Sequence, residues 1–208
     1  MMNRDYIKIG KLVDKVKEGD LQAFDELYSL TYNKVYLLSL SILKNKDMAE
    51  DATQEIFINS LKSINQLKNP KLFLSWINKI TYNYCLQEVS KLKHVELNSF
   101  ENIFSKINPK LKYSDPLEYC ILKEDMEEFI ELIGQLTQKQ STILVLKYIE
   151  GLKISEIAYV LDIPEGTVKS RLSKAKKKFR KLYINTIKKR ENRKDFNMDY
   201  VFKECIWL

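Results

Sequence analysis

The stretch that decides the fold is residues 154–179, ISEIAYVLDIPEGTVKSRLSKAKKKF. Its apolar residues recur at helical spacing in two runs, which indicates two amphipathic helices. These residues are Ile154, Ile157, Ala158 and Leu161 in the first run, then Val168, Leu172, Ala175 and Phe179 in the second. Between the runs, Asp162 tolerates a left-handed turn, and Pro164 suits the first position of the second helix. The spacing therefore predicts a helix-turn-helix.

The second helix carries polar and cationic residues on the face opposite its apolar stripe. They are Thr167, Lys169, Ser170, Arg171, Ser173 and Lys174. Such a face on an exposed helix can enter a DNA major groove. The alternative interpretation is an ordinary helical hairpin with a solvated lysine-rich face.

The distribution of charge favours the nucleic-acid interpretation. Residues 169–194 contain 13 Lys or Arg and one acid, so this segment carries +12, whereas the remainder of the chain sums to −5. Basicity concentrated in one segment is typical of an element that binds phosphates.

Composition predicts an all-α protein of 208 residues, because five glycines and four prolines are too few for a turn-rich β architecture. The longest apolar run, residues 35–43, is too short for a membrane span. The first residues lack the apolar core of a signal peptide, so we expect a cytoplasmic protein without membrane insertion. Cys85, Cys120 and Cys205 show no paired spacing, which favours reduced cysteines and predicts no metal or cofactor.

Along the chain, the pattern predicts two helical domains. Residues 1–91 contain four helical segments, and residues 92–114 are a linker with a broken apolar pattern. Residues 115–194 form a second domain, and its first helix begins at Asp115-Pro116. Residues 195–208 are an apolar tail that folds back onto the second domain, serves a partner protein or remains disordered.

Two separated blocks resemble a bacterial RNA polymerase sigma factor of the sigma-70 family, in its extracytoplasmic-function (ECF) group. The first block contains GDLQAFDELY (19–28), DMAEDATQEIFINSLKSI (47–64) and FLSWINKITYN (73–83), and it resembles region 2 of that family. The second block, LTQKQSTILVLKYIEGLKISEIAYVLDIPEGTVKSRLSKAKKKFRK (136–181), resembles region 4.

The resemblance implies two small all-α domains on a flexible linker, acting as a transcription initiation factor. Region 4 would dock on the minus-thirty-five element of a promoter, with Ser170, Ser173 and Lys174 at base edges and Thr167, Lys169 and Arg171 nearer phosphates. Region 2 would hold the polymerase and open the minus-ten element. The implied partners are core RNA polymerase, promoter DNA and an anti-sigma protein, with no small-molecule substrate.

The polymerase contact is expected on an acidic part of the first domain. Residues 20–55 contain seven acids and three lysines, a net charge of −4, so this surface repels DNA and faces either a protein or solvent. The resemblance assigns Asp51, Gln54 and Glu55 to the polymerase. A solvated helix face is the alternative.

The fourth helix of the first domain carries the expected minus-ten face. Its apolar stripe, read as core, is Phe73, Trp76, Ile77, Ile80 and Tyr84. The other side presents Lys79, Tyr82, Asn83 and Gln87. Such side chains can stack on or hydrogen-bond an unpaired base, and one stacked base contributes ~1–3 kcal/mol. That is comparable to the few kcal/mol needed to extrude a nucleotide, so opening of the minus-ten element does not require ATP.

The predicted linker is long enough to bridge the two promoter elements. Its 23 residues span at most ~75 Å when extended, whereas one and a half turns of duplex measure ~50 Å.

Two other function classes remain as alternatives. An enzyme is disfavoured because the single histidine, His94, lies in a polar stretch and no nucleophile–base pair is apparent. The second alternative is a helix-turn-helix regulator with an N-terminal sensing or dimerisation domain. A transcription assay distinguishes the regulator from a sigma factor. A sigma factor makes purified core polymerase initiate at a specific promoter, whereas a regulator cannot do so without another sigma factor.

Overall fold

The computed structural model describes the backbone of residues 2–91 and 129–189, with side chains for residues 6–91 and 129–185. The helices are α1 (Met2–Lys17), α2 (Leu21–Leu43), α3 (Lys46–Ser63), α4 (Phe73–Lys91), α5 (129–134), α6 (Gln138–Leu144), α7 (Ile154–Leu161) and α8 (Glu165–Lys189). These ranges contain no β-strand, which confirms the all-α prediction. The predicted linker 92–114, the helix opening at Asp115-Pro116 and the tail 195–208 lie outside the described residues.

Polar caps mark where two helices of the first domain begin. The side chain of Asp20 accepts a hydrogen bond from the Ala23 amide at 3.0 Å and begins α2. Asn45 does the same for α3 by accepting from the Met48 amide at 3.0 Å. These caps satisfy amides that have no partner inside the helix. The four predicted helices of the first domain are confirmed, with short 3₁₀ turns at Ile64–Gln66 and Pro70–Leu72 before α4.

The core of the first domain forms where α1 to α4 meet. Its apolar centre includes Val13, Leu27, Ile56 and Ile77. The helical spacing of Leu61 with Phe57 and Ile64 predicts a buried position, but Leu61 of α3 is 36% exposed. Leu61 lies near the C-terminal end of α3.

The end of α2 is buried on all sides, since every residue from 35 to 43 is buried, including Ser39 and Ser41. A surface helix exposes one face, whereas a helix covered all round lies inside the molecule. The first domain covers one side of α2, and the second domain, through α6 and the following π-helical turn Val145–Ile149, covers another. The two domains therefore pack against each other.

The helix-turn-helix is confirmed in α7 and α8. Asp162 ends α7 in the left-handed conformation, with φ 55° and ψ 50°. The second helix begins one residue later than expected, at Glu165. The carbonyl of Pro164 accepts hydrogen bonds from the amides of Thr167 and Val168 at 2.9 and 3.1 Å, so Pro164 occupies the capping position and not the first helical position. No described helix is long and apolar enough to cross a membrane.

Candidate nucleic-acid interface

The outer face of α8 is held in place by its buried inner face. Val168, Ala175 and Phe179 are almost fully buried, and the ring of Phe179 lies 5.5 Å from the ring of Phe129 in α5, centroid to centroid. This packing turns the opposite side of α8 outward. The predicted set on that side consists of exposed Lys169, Ser170, Ser173 and Lys174, with Thr167 and Arg171 half-buried.

An open groove runs along α8 beside the predicted set. Ile154 and Leu172 contribute apolar surface to it, and its polar lining is Lys169, Ser173, Lys176, Lys177 and Arg180. The lining contains four cations and no acid, a composition that suits phosphate groups. Lys176, Lys177 and Arg180 were not among the predicted residues, although their spacing of three, four and seven positions from Ser173 already placed them on the same face.

The predicted face of α4 is only partly open. Asn83 and Gln87 are exposed, whereas Lys79 and Tyr82 are half-buried. Lys79 Nζ donates a hydrogen bond to the Val160 carbonyl of α7 at 3.2 Å, and the same ammonium lies 5.7 Å from the centroid of the Tyr159 ring. The second domain thus contacts Lys79, one of the residues predicted to meet an unpaired base.

Tyr82 of α4 lies within electrostatic range of Arg171 of α8. Burial raises the pKa of the Tyr82 phenol, and the positive charge of Arg171 opposes that rise.

The predicted protein-binding face of α3 is exposed. Asp51, Gln54 and Glu55 all reach solvent, and Ile58 continues the same strip with 46% of its surface exposed. Positions 51, 54, 55 and 58 share one side of a helix because they are three, four and seven apart. An acidic strip that ends in an exposed isoleucine suits a protein better than DNA. The residues predicted for this surface did not include Ile58.

A polar cluster joins α4 to the second domain, and nothing in the sequence indicated it. Asn78 Nδ2 donates to Glu150 Oε2 at 3.0 Å, and Ser75 Oγ donates to Glu156 Oε1 at 2.9 Å. Burial raises the pKa of Glu150, while Lys34 and the hydrogen bond from Asn78 act in the opposite direction. In each hydrogen-bonded pair, the two residues are more than 70 positions apart in the chain.

Within the described ranges, no three His, Cys, Asp or Glu side chains gather as metal ligands do. Cys85 is buried and free, and burial raises the pKa of its thiol to about 12. Cys120 and Cys205 lie outside the described residues.

Both domains match a known family at the positions given by the fold. Residues 27–95 match the family described as "Sigma-70 region 2", and residues 126–179 match "Sigma-70, region 4". The first match runs from within α2 to the end of α4, and the second contains the helix-turn-helix. The two domains are thus those of the sigma-70 class of proteins.

Similarity to individual proteins identifies the group within the sigma-70 class. The chain is 31% identical over 185 residues to "ECF RNA polymerase sigma factor SigW" of Bacillus subtilis, covering 83% of this chain and 95% of that protein. It is 28% identical over 170 residues to "ECF RNA polymerase sigma-E factor" of Haemophilus influenzae, covering 79% and 89%. The chain belongs to the ECF family of RNA polymerase sigma factors, which confirms the resemblance and favours it over a helix-turn-helix regulator.

Solved structures share the fold. CnrH, solved in complex with the cytosolic domain of CnrY, superposes with a TM-score of 0.59 at 17% identity, covering 86% of this chain and 98% of that chain. RpoE of Bartonella quintana, solved with the anti-sigma factor NepR, has a TM-score of 0.57 at 20% identity, covering 77% and 96%. This similarity concerns the arrangement of helices in the described parts of the chain.

Proposed function

We propose that this sigma factor recruits core RNA polymerase to promoters through three separate surfaces. The proposed division follows the chain: residues 1–91 bind polymerase and the minus-ten element, residues 92–114 link the domains, residues 115–194 bind the minus-thirty-five element, and residues 195–208 are a tail. The observation that carries the proposal is the exposed cationic face of α8, fixed by the buried Val168, Ala175 and Phe179.

On α8, Ser170, Ser173 and Lys174 contact base edges, and Thr167, Lys169 and Arg171 contact phosphates. Hydrogen bonds to base edges discriminate sequence, whereas phosphate contacts orient the helix on the duplex. Lys176, Lys177 and Arg180, which line the groove beside this face, extend the phosphate contact along the backbone.

On α4, Lys79, Tyr82, Asn83 and Gln87 receive the unpaired strand of the minus-ten element. The aromatic ring of Tyr82 offers a stacking surface, and the amides of Asn83 and Gln87 offer hydrogen bonds to a base. Asn83 and Gln87 are already exposed, so strand capture begins at the end of α4 that the second domain leaves open.

On α3, Asp51, Gln54 and Glu55 bind core polymerase, with Ile58 adding apolar contact. This surface is separate in sequence and charge from α8, so polymerase and the minus-thirty-five element do not compete for it. The polymerase supplies the catalysis, and the sigma factor acts in the cytoplasm without a cofactor. Because a solved structural neighbour carries an anti-sigma factor, we include such a protein among the partners.

Run-off transcription tests this function directly. Purified chain and core RNA polymerase are incubated with a library of genomic fragments, and discrete transcripts that require the chain are expected. A chain that binds duplex DNA but yields no transcript with core enzyme would show that the regulator alternative is correct.

A further inference from the structure

The groove along α8 offers apolar surface as well as positive charge. Ile154 and Leu172 belong to its lining, and the lysine and arginine side chains beside them add their aliphatic stems. The groove has a volume of about 500 Å³, which is within the range of sites that hold small organic molecules. Phosphate groups use the cations of this lining but not its apolar part. The α8 groove therefore suits an occupant that is both acidic and apolar.

Ile184 continues the same side of α8 beyond the groove. It lies four positions after Arg180 and seven after Lys177, a spacing that places the three residues on one helix face. The side chain of Ile184 is 39% exposed. Apolar surface thus extends from the groove towards Lys189, the residue at which α8 ends.

The sequence that follows α8 has the complementary composition. Residues 195–208, DFNMDYVFKECIWL, contain three acids and one lysine, a net charge of −2, directly after the +12 of residues 169–194. This segment lies outside the described residues, so its properties are taken from its sequence. Five of its apolar residues recur with the spacing of one face of a helix. They are Met198, Val201, Phe202, Cys205 and Ile206.

The connection to α8 is long enough to return this segment along the helix. The nine positions from Lys189 back to Arg180 cover ~14 Å at 1.5 Å per residue. The five residues 190–194 span up to ~18 Å when extended. From Arg180 to Lys169 the wall of the groove measures ~17 Å, and the 14 residues 195–208 measure ~21 Å at helical rise. The segment therefore matches the groove in length and position.

Tethering strengthens such a contact. A segment joined to its site by a short flexible connection has an effective concentration in the millimolar range. A contact with millimolar affinity is then already occupied in a large fraction of the molecules. Opposite charges on the groove and on the segment add attraction, since the lining of the groove contains four cations and no acid.

We propose that residues 195–208 dock in the α8 groove of the same chain and compete there with the minus-thirty-five DNA. The apolar side of the segment covers Ile154, Leu172 and Ile184, and its acids lie near Lys177 and Arg180. The competition rests on the proposed function of α8, whereas the docking itself is testable without DNA.

Acetylation of two adjacent lysines measures docking in the full-length chain. Lys177 lines the groove, and Lys178 does not, because one position turns a helix by about 100°. Both side chains are exposed in the described part of the chain. Limited acetylation, read by tandem mass spectrometry, should modify Lys177 about tenfold more slowly than Lys178, as expected if roughly one tenth of the molecules have an undocked segment.

Two variants of equal net charge test which side of the segment docks. Val201→Ser with Ile206→Ser removes two residues of the apolar face, so Lys177 should become as reactive as Lys178. The same variant should bind duplex DNA about tenfold more tightly in fluorescence anisotropy, and its unaltered charge excludes a general electrostatic cause. Tyr200→Ser is the matched control, because Tyr200 lies outside the apolar spacing, and it should behave as the wild type.

Several results would overturn the proposal. Docking is rejected if wild-type Lys177 reacts as fast as Lys178, or if the double variant remains as protected as the wild type. Protection that disappears on dilution would place the segment of a second copy in the groove and reject docking within one chain. An increase in Lys177 labelling without tighter DNA binding would reject the competition.

The same measurements distinguish this proposal from the proposed function. Protected Lys177 in a chain that never directs transcription would leave the docking intact and reject the promoter function, and the competition would fail with it. Promoter-specific transcription by a chain whose Lys177 reacts like Lys178 would retain the function and reject the docking.

Discussion

Asn78 and Glu150 lie 72 positions apart in the chain, and a hydrogen bond of 3.0 Å joins their side chains in the interior. Asn78 belongs to α4 of the first domain, and Glu150 follows the π-helical turn of the second. Both side chains are almost completely buried. A buried carboxyl group requires partners that compensate for lost hydration, so the contact fixes where the second domain sits on the first.

Removing the buried charge should stabilise the chain in a pH-dependent way. Glu150→Gln retains the size of the side chain, and because burial raises the pKa of Glu150, the ionised carboxylate destabilises the packed state. The groups around it are Asn78 of α4, Lys34 of α2, which lowers the pKa, and Tyr6 of α1, whose own pKa is raised to about 12 by burial and by Glu156 and Glu150.

The direction of this pH dependence follows from proton linkage. The packed state binds the Glu150 proton more tightly than the unfolded state, so the penalty is present above the raised pKa and disappears as pH falls towards the unfolded value of about 4.3. The difference in urea unfolding free energy between the variant and the wild type should be largest at neutral pH and shrink on acidification. A difference that is constant over pH would contradict the prediction.

Replacing Lys169 or Arg171 with alanine should weaken binding to duplex DNA of any sequence. Each change removes one phosphate contact, so the slope of log K against log salt should fall by about one. Fluorescence anisotropy at several salt concentrations measures this slope, and the variant Lys68→Ala, at an exposed position of the first domain, is the control. A change in sequence preference with an unaltered slope would assign these side chains to bases instead.

The double replacement Asp51→Ala with Gln54→Ala should reduce affinity for core polymerase by about tenfold, corresponding to ~1.4 kcal/mol. Both side chains are exposed, so the fold should be unaffected. Competition binding to core enzyme measures the loss. Binding of the same variant to minus-thirty-five duplex DNA should be unchanged, and a parallel loss of both activities would indicate misfolding.

Replacing Tyr82 and Asn83 with alanine should impair promoter opening more than promoter binding. Loss of a stacking surface removes about 1–3 kcal/mol per base, and this contribution exists only after the strands separate. Permanganate footprinting reports the unpaired thymines, and a gel shift reports the closed complex. Equal losses in both assays would place these side chains on duplex DNA.

Phe179→Ala should destabilise the second domain by about 3–5 kcal/mol, the usual cost of removing a buried phenylalanine. Phe179 is 1% exposed and packs on Phe129. Urea unfolding measures the change. The adjacent Lys178 is exposed, so Lys178→Ala should stay within about 0.5 kcal/mol of the wild type; a comparable loss there would point to a general weakening of α8.

Much of the local structure was readable from the sequence, because helix formation depends on near neighbours. The spacing of Val168, Ala175 and Phe179 identified the buried side of α8, and Asp162 marked the turn before it. Leu61 is exposed although it belongs to the apolar pattern of α3. Helical spacing indicates a buried position for such a residue, but which positions are covered depends on how the neighbouring helices pack.

The sequence by itself determined the all-α fold, the helix-turn-helix, the cationic face of α8 and the family of the protein, since each depends on residues close together in the chain. Only the tertiary structure decided that Lys79 of α4 contacts the second domain, and that residues 35–43 of α2 are enclosed by two domains. Contacts such as Asn78–Glu150 depend on how folded domains meet in space. Helical periodicity reports which side of a helix is apolar, not which distant polar group will be buried against it.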